Sequence, residues 1–289
     1  MDEAFKTLLQ RPQFAWPTLA LLVGCWLAFG LSTALGVSGY WWWGWSVACN
    51  ALAAYLVFTV GHDASHGSVS RVRWLNDTAG LFSTLLLSPI PFFRLFRYVH
   101  MQHHRHVNEP GADPDHYCGT GPRWQLPLRW ATLDLHYLYL YFQPACFTKR
   151  SVADQRAIVL AMGFAFLVFI GFLLSPWFAE YLLFFILPSR IAVFLLALCF
   201  DFLPHYPHTV KASEAPYQAT ANRLGADWLL CPLLTMQNYH LSHHLYPSVP
   251  FYRYRKAWLA REAFHESQLP ATQTPLGLRP LQRGMAEAQ

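Results

Sequence analysis

The chain has 289 residues, of which 54% are hydrophobic and only 13% are charged. A typical soluble domain carries about 25% charged residues, so the composition excludes a disordered chain, a fibre and an ordinary soluble enzyme, and it favours a membrane protein. The net charge of +5 is modest, and no nucleic-acid partner is expected. The 14 histidines nearly match the 16 aspartates and glutamates in number, which is unusual for so apolar a chain.

Four apolar runs are long enough to cross a bilayer, which requires about 20 residues. They cover residues 17–35, 41–60, 157–178 and 181–202. The second run begins with three consecutive tryptophans, which suit a membrane interface. The fourth contains Arg190, a costly charge that we expect near a helix end or against protein. The runs predict an all-α integral membrane protein.

Lysine and arginine are concentrated in the long loop and the C-terminal segment. They are absent from the short connections between the first and second runs and between the third and fourth. Ten lie in the loop 61–156 and eight in the segment 203–289, whereas residues 36–40 and 179–180 contain none. The positive-inside rule therefore places both termini and the long loop in the cytoplasm, as expected for a bacterial inner-membrane protein. The prediction is four transmembrane helices in two hairpins, with a cytoplasmic cap of interfacial and metal-binding helices.

Segments outside the four runs complete the predicted organisation. Residues 81–93 contain two prolines and are too short to span, so they predict a re-entrant or interfacial segment. Residues 126–142 predict an interfacial helix. Residues 1–268 are expected to form a single domain, and the polar, proline-containing residues 269–289 are expected to be a disordered tail.

Eight histidines occur in three closely spaced boxes, one HxxxH and two HxxHH. An HxxHH motif is expected only about 0.03 times by chance in a chain of this composition. Spacings of three and four place side chains on one face of a helix, so each box is expected to aim its imidazoles in one direction. The box residues are His62 and His66, then His100, His103 and His104, and finally His240, His243 and His244.

So many converging imidazoles favour metal binding, because neutral histidine is a common metal ligand. Eight ligands exceed the four that one tetrahedral zinc requires, so two metals sharing them is the economical arrangement. Iron is favoured because an imidazole-rich site suits its chemistry with O2. Carboxylates and carbonyls commonly accept the second ring N–H of a ligating histidine. Asp63, Asp113, Asp115 and Asn238 are candidates for this role, although GADPD is also strong turn chemistry.

The boxes HDASH, HMQHH and NYHLSHHLYP resemble those of the membrane fatty acid desaturase superfamily, whose members are di-iron enzymes. The resemblance covers about residues 60–260. The flanking stretches VNEPGADPDHY and HLYPSVPFYRYRKAW are more similar to bacterial beta-carotene hydroxylases than to acyl-CoA desaturases. The first box is HxxxH, where acyl-CoA desaturases have HxxxxH.

This resemblance implies a ninth histidine ligand at the end of the last spanning helix. The matching stretch is DFLPH, which suggests His205, with His208 as the alternative. The family has an asparagine four residues earlier that holds a water near one iron. Asp201 stands there in this chain, and a carboxylate at that position is expected to bind or orient the water. His106, His136 and His265 are interpreted as ordinary residues, and His116 as ordinary or as a support for a ligand.

The predicted function is O2-dependent oxidation of an unactivated C–H bond in a lipid, by desaturation or hydroxylation of a fatty acyl chain. Two irons are the predicted cofactors and O2 is the co-substrate. The chain contains no nucleotide-binding fingerprint, so a separate electron donor such as ferredoxin is expected. One alternative is a carotenoid (beta-carotene) ring hydroxylase or ketolase. Another is a histidine-rich membrane metal transporter, which is disfavoured because the four apolar runs contain no histidine.

Overall fold

A computed structural model describes residues 3–282 of the chain as a bundle of long helices with a layer of shorter elements at one end. The short helix α1 (Glu3–Leu9) precedes the first two long helices, α2 (Trp16–Val37) and α3 (Trp43–Ser65). Exposed leucines on α2, such as Leu27 and Leu31, suit contact with lipid, whereas α3 lies at the centre of the bundle.

The segment after α3 forms amphipathic and short helices that pack on the end of the bundle. The long ones are α4 (Arg73–Thr84) and α5 (Phe93–His106), and 3₁₀ turns follow at Pro114–Cys118 and Arg123–Gln125. The predicted interfacial helix is two helices, α6 (Leu126–Ala131) and α7 (Leu133–Phe142), with a break at Thr132. Residues 85–92 between α4 and α5 are not helical. The short α8 (Pro144–Phe147) ends this region.

Two further long helices follow, α9 (Val152–Leu173) and α10 (Phe178–His205). With α2 and α3, they are the four described helices that are long and apolar enough to span a membrane. The third starts and ends about five residues earlier than predicted, because Ser175 and Pro176 interrupt the helix before the predicted end. Two π-helical turns, at Leu182–Ile186 and Ala197–Phe202, interrupt the α-helical hydrogen bonding of α10.

Asn50 joins three of the long helices inside the bundle. Its Nδ2 donates to Thr33 Oγ1 of α2 at 2.8 Å and to the carbonyl oxygen of Phe184 in α10 at 2.7 Å, and its Oδ1 accepts from Ser32. A π-helical turn leaves a carbonyl without its usual helical partner, and Asn50 satisfies this one. The amide therefore fixes α2 and α10 against the central helix.

The C-terminal region combines short helices with a small sheet. The helices are α11 (Asp227–Leu233), α12 (His240–Leu245), α13 (Tyr254–Leu259) and α14 (Glu262–Glu266), with 3₁₀ turns at Gln237–Tyr239 and Phe251–Arg253. Strand β1 (Asn222–Arg223) pairs in parallel with β2 (Ala271–Gln273), which pairs antiparallel with β3 (Leu281–Gln282).

The sheet shows that disorder was the wrong prediction for part of the tail. Strand β2 is buried, and the guanidinium of Arg223 donates to Gln273 Oε1 at 2.6 Å and to three carbonyls of residues 274–277. A buried guanidinium requires several acceptors, and the tail backbone supplies them. Composition alone did not reveal this requirement. Residues 283–289 of the predicted tail lie outside the described residues.

Candidate metal centre

The nine predicted histidine ligands converge at one end of the bundle, where α3, α5 and α10 end beside α12. They form two groups, and within each group the candidate ligand atoms all lie within 4.8 Å of one another. The C-terminal end of a helix carries partial negative charge, so three converging helix ends favour bound cations. The first group is His62, His66, His100, His104 and His243. The second is His103, His205, His240 and His244.

Each HxxHH box divides its histidines between the two groups. His100 and His104 belong to the first group, and His103 belongs to the second. The third box is the reverse, since its first and last histidines belong to the second group and His243 belongs to the first. Positions i+3 and i+4 lie about 100° apart around a helix of 3.6 residues per turn. The expectation that a box aims all its rings in one direction is therefore wrong for the two HxxHH boxes, each of which bridges the two groups, whereas His62 and His66 of the first box both belong to the first group.

Spacing between ring nitrogens fits metal ligation. The Nε2 atoms of His66 and His100 are 2.9 Å apart, as are those of His104 and His243. In the second group, His240 Nε2 lies 3.1 Å from Nε2 of both His205 and His244. Metal–imidazole bonds of about 2.0–2.1 Å at right angles would separate two nitrogens by about 3.0 Å.

Burial keeps most of the box histidines neutral, the form that binds metals. It lowers their pKa values well below the usual range, and repulsion from neighbouring imidazoles adds to the effect. These histidines are His66, His100, His104, His240, His243 and His244. The Nε2 atom of His62 is buried and has no hydrogen-bond partner among the described residues, which suits a ligand position. The donor set therefore fits two transition-metal ions.

His103 differs because two aspartates contact it. Its Nδ1 lies 2.8 Å from Asp113 Oδ1 and 3.2 Å from Asp115 Oδ2. Burial works to lower the pKa of His103, but the two carboxylates outweigh it and raise that pKa to about 10. Nδ1 donates to the carboxylate, so Nε2 is the atom that faces the second group. Asp113 and His103 therefore form a buried carboxylate–histidine pair.

Asp115 connects His103 to two further buried groups. The hydroxyl of Tyr137 donates to Asp115, and the side chain of Asp201 lies against Asp115. Burial raises the pKa of Asp115 to about 6, against the opposing effect of the charge on His103. Asp201, in the last turns of α10, thus reaches the second group through Asp115. The segment GADPD also has a turn contact, because Asp113 Oδ1 accepts from the Asp115 backbone N–H at 2.9 Å.

Gln237 supports a ligand histidine and was missed by the sequence analysis. Its Oε1 accepts from His240 Nδ1 at 2.8 Å, and both residues are buried. The predicted neighbour Asn238 instead donates to the backbone carbonyl of Arg223 at 3.4 Å. The available signal was position, since Gln237 precedes His240 by three residues on a helical turn and therefore shares its face.

Asp63 is buried beside His62, but the contacts of its carboxylate lie elsewhere. It accepts from Thr18 Oγ1 of α2 at 3.0 Å and from the backbone N–H of Phe251 at 3.1 Å. These bonds connect the end of α3 to α2 and to the segment after the third box. Asp63 therefore positions the scaffold around the histidines, and the expectation that it accepts from a ligand ring is wrong.

The remaining histidines lie outside the two groups. His208, the alternative ninth ligand, packs over Gly119, and its ring centroid is 6.1 Å from that of His205. His106 pairs with Glu109 at 3.0 Å, and His136 stacks on Tyr117. His265 is buried against Trp258, and His116 lies near His208.

Comparison with known proteins identifies the family of this chain. The model of the fatty acid desaturase family matches residues 40–275, which contain all nine histidines of the two groups. This chain belongs to the fatty acid desaturase family. The family predicted from the histidine boxes is confirmed, and membership makes the protein an integral membrane oxidoreductase of lipid metabolism with a histidine-rich metal-binding site.

Family relatives have several named substrates. The chain is 25% identical over 270 residues to the sn-1 oleoyl-lipid 12-desaturase of Anabaena variabilis, covering 81% of this chain and 75% of the relative. It is 26% identical over 242 residues to the dihydrorhizobitoxine desaturase of Bradyrhizobium elkanii, covering 75% and 67%. It is 28% identical over 203 residues to the zeaxanthin 4-ketolase of Chlamydomonas reinhardtii, covering 69% of this chain and 40% of the relative.

Proposed function

We propose that this desaturase-family protein holds two iron ions and uses O2 to oxidise an unactivated C–H bond of a membrane lipid. The observation that carries the proposal is the convergence of nine imidazoles, six of them buried and three partly buried, in two adjacent groups bridged by two histidine boxes. One metal does not need nine such ligands, and neutral imidazoles with supporting carboxylates suit iron. The nine histidines are the proposed ligands.

Iron ions at this site would supply the activation of O2, with two electrons and two protons delivered from outside. Desaturation then converts O2 and two substrate hydrogens to two waters, whereas hydroxylation leaves one oxygen on the substrate and releases one water. The residues of the chain would hold the iron ions and orient the histidine rings that bind them. Asp113 and Gln237 fix the rings of His103 and His240 through their Nδ1 atoms, and burial excludes bulk water from both groups.

The substrate approaches through apolar protein. A small cavity beside the second group is lined by Phe58, Phe96, Leu196 and Asp201, so its apolar wall ends at a carboxylate near the histidines. Fatty acyl desaturation or hydroxylation is the proposed chemistry. Oxidation of a carotenoid ring is the second candidate, because a ketolase is among the relatives and the segments that flank the boxes resemble carotenoid hydroxylases.

Membrane orientation and electron supply complete the proposal. The four long helices are proposed to form two hairpins, with both termini and the metal centre on the cytoplasmic side of a bacterial inner membrane, following the distribution of lysine and arginine. A separate ferredoxin is the proposed donor, and one relative carries ferredoxin in its name. Metal transport is disfavoured, because the histidines of the described spans, His62 and His205, lie in the last turns of α3 and α10.

Two matched variants on α5 test the proposal. His104 belongs to the first group, whereas His106, two residues later, pairs with Glu109 outside both groups. We expect wild type and His106→Ala to contain about two irons per chain and to change the lipid or pigment profile of a host that supplies ferredoxin. His104→Ala should lose metal and product. Zinc in place of iron, metal flux across vesicles and an unchanged profile would contradict the proposal.

A further inference from the structure

Three cavities follow one another along α10 in chain order. A far groove of about 470 Å³ is bounded on this helix by Tyr181, Phe184 and Phe185. A middle cavity of about 170 Å³ lies beside residues 186–190. An inner cavity of about 40 Å³ lies beside residues 193–201 and reaches Asp201 at the metal centre.

Neighbouring cavities share walls. Pro89, in the non-helical segment between α4 and α5, lines both the far groove and the middle cavity. Phe92, Asp134 and Tyr137 line both the middle and inner cavities. The three spaces therefore lie next to one another between α10 and the segment that enters α5, and this row of cavities is called the path below.

The path is as long as a bilayer is thick. Tyr181 and Asp201 are separated by 20 residues of helix, or about 30 Å at 1.5 Å per residue. The hydrocarbon core of a membrane is also about 30 Å thick. An elongated ligand that filled the path would have one end at the metal centre and the other at the opposite membrane face.

The far groove has buried polar atoms that lack partners. Tyr181 is 7% exposed and stacks between the rings of Phe172 and Phe185, at centroid distances of 4.3 and 5.6 Å. Its hydroxyl and Oε2 of Glu180 have no hydrogen-bond partner among the described residues. An oxygen-bearing group of a ligand in the groove would satisfy them, because buried polar atoms are normally hydrogen-bonded.

The single charged pair along the described path is neutralised within the protein. Arg190 Nη1 and Nη2 donate to the two carboxylate oxygens of Asp134 at 3.0 and 2.6 Å. This bidentate bond compensates both charges where the middle cavity passes them. An apolar chain can therefore lie beside Arg190 without facing an unpaired charge.

We propose that the far groove binds the distal end of the substrate, and that the substrate is a bilayer-length, rigid, apolar lipid with an oxygen-bearing distal end group. This inference rests on the proposed function, because it places the reacting end at the metal centre, and within that function it selects the second candidate, oxidation of a carotenoid, over oxidation of a fatty acyl chain. A phospholipid acyl chain spans only one leaflet, about half of the hydrocarbon core of about 30 Å, so it is too short to fill the path. The flat wall of stacked rings from Phe172 to Phe185 suits a planar polyene better than a flexible chain.

The test is binding of two polyene probes to the full-length protein in nanodiscs, measured by quenching of tryptophan fluorescence. Trp26 and Trp177 line the far groove, so the part of the quenching that is lost in the double variant Trp26→Phe, Trp177→Phe reports its occupancy. Zeaxanthin carries a hydroxyl on each end ring, and beta-carotene carries none. We expect zeaxanthin to bind more tightly. Tyr181→Phe should weaken zeaxanthin about fivefold, the scale of one buried hydrogen bond, and leave beta-carotene unchanged.

Two variants that enlarge neighbouring side chains on α9 control for effects of substitution that do not depend on the groove. Val168→Phe narrows the far groove and should weaken both probes. Leu167→Phe lies next to it on α9, is 68% exposed and should weaken neither. Absence of quenching by both probes, or equal effects of the two variants, would overturn the inference. Product formed from acyl lipids and unaffected by Val168→Phe would also overturn it, but would leave the proposed oxidation intact. Quenching without any oxidation product would instead count against the proposed function.

Discussion

Replacing Asp113 by asparagine tests whether a carboxylate tunes the metal centre through His103. The two side chains are 1% and 3% exposed, and Asp113 Oδ1 lies 2.8 Å from His103 Nδ1. Asp113 Oδ2 also accepts from the backbone N–H of Asn108 at 2.7 Å. Loss of a carboxylate that supports a ligand histidine typically costs 10–100-fold in metal affinity or activity. A tenfold change corresponds to about 1.4 kcal/mol, so we expect a loss of about 1.4–2.8 kcal/mol in iron binding.

The chain supplies a close control for this variant. Glu109 accepts from His106 Nδ1 at 3.0 Å, so the last residue of α5 takes part in a second carboxylate–histidine pair, but at the surface. Glu109→Gln should leave iron affinity unchanged. Both variants are titrated with iron against a competing chelator, and thermal unfolding is followed in parallel to detect misfolding. Equal iron affinity for the two folded variants would refute the reasoning.

Three further predictions follow from the contacts. Gln237→Ala should lower the iron content, which metal analysis of purified protein can measure, whereas Asn238→Ala should lower the melting temperature without changing iron per folded chain. Thr18→Val removes the hydroxyl that donates to Asp63 and should lower the free energy of unfolding by about 1–3 kcal/mol, with iron content unchanged. Gly119→Ala would place a Cβ 2.0 Å from the His208 ring and should destabilise by about 1–3 kcal/mol, whereas Gly163→Ala, with open space around it, should be neutral in the same thermal melts.

Local spacing was sufficient to single out the eight box histidines, whereas His205 was suggested by the family resemblance. Each box lies on one or two helical turns, so short-range geometry brings its members together, and the four apolar runs bring the boxes to one end. The division between groups depends on helix rotation. His103 and His104 are adjacent in sequence but point about 100° apart, so they belong to different groups.

Supporting contacts were harder to predict, because they depend on where distant backbone lies. Asp63 is adjacent to His62 in sequence, yet its partners are Thr18 and the N–H of Phe251, which is 188 residues away along the chain. The strand at Ala271–Gln273 was missed for a similar reason. The buried guanidinium of Arg223 donates to acceptors in and after this segment and so holds it in place. The composition of the tail carries no information about that contact.

Strand β2 has a consequence for biosynthesis. Gln273 Nε2 donates to the carbonyl of Leu203, two residues before His205, so the final part of the described chain fastens the end of α10. All four spans and all three histidine boxes leave the ribosome before this segment does. The site therefore reaches its final arrangement only after strand β2 has been synthesised, which is later than the synthesis of the last span.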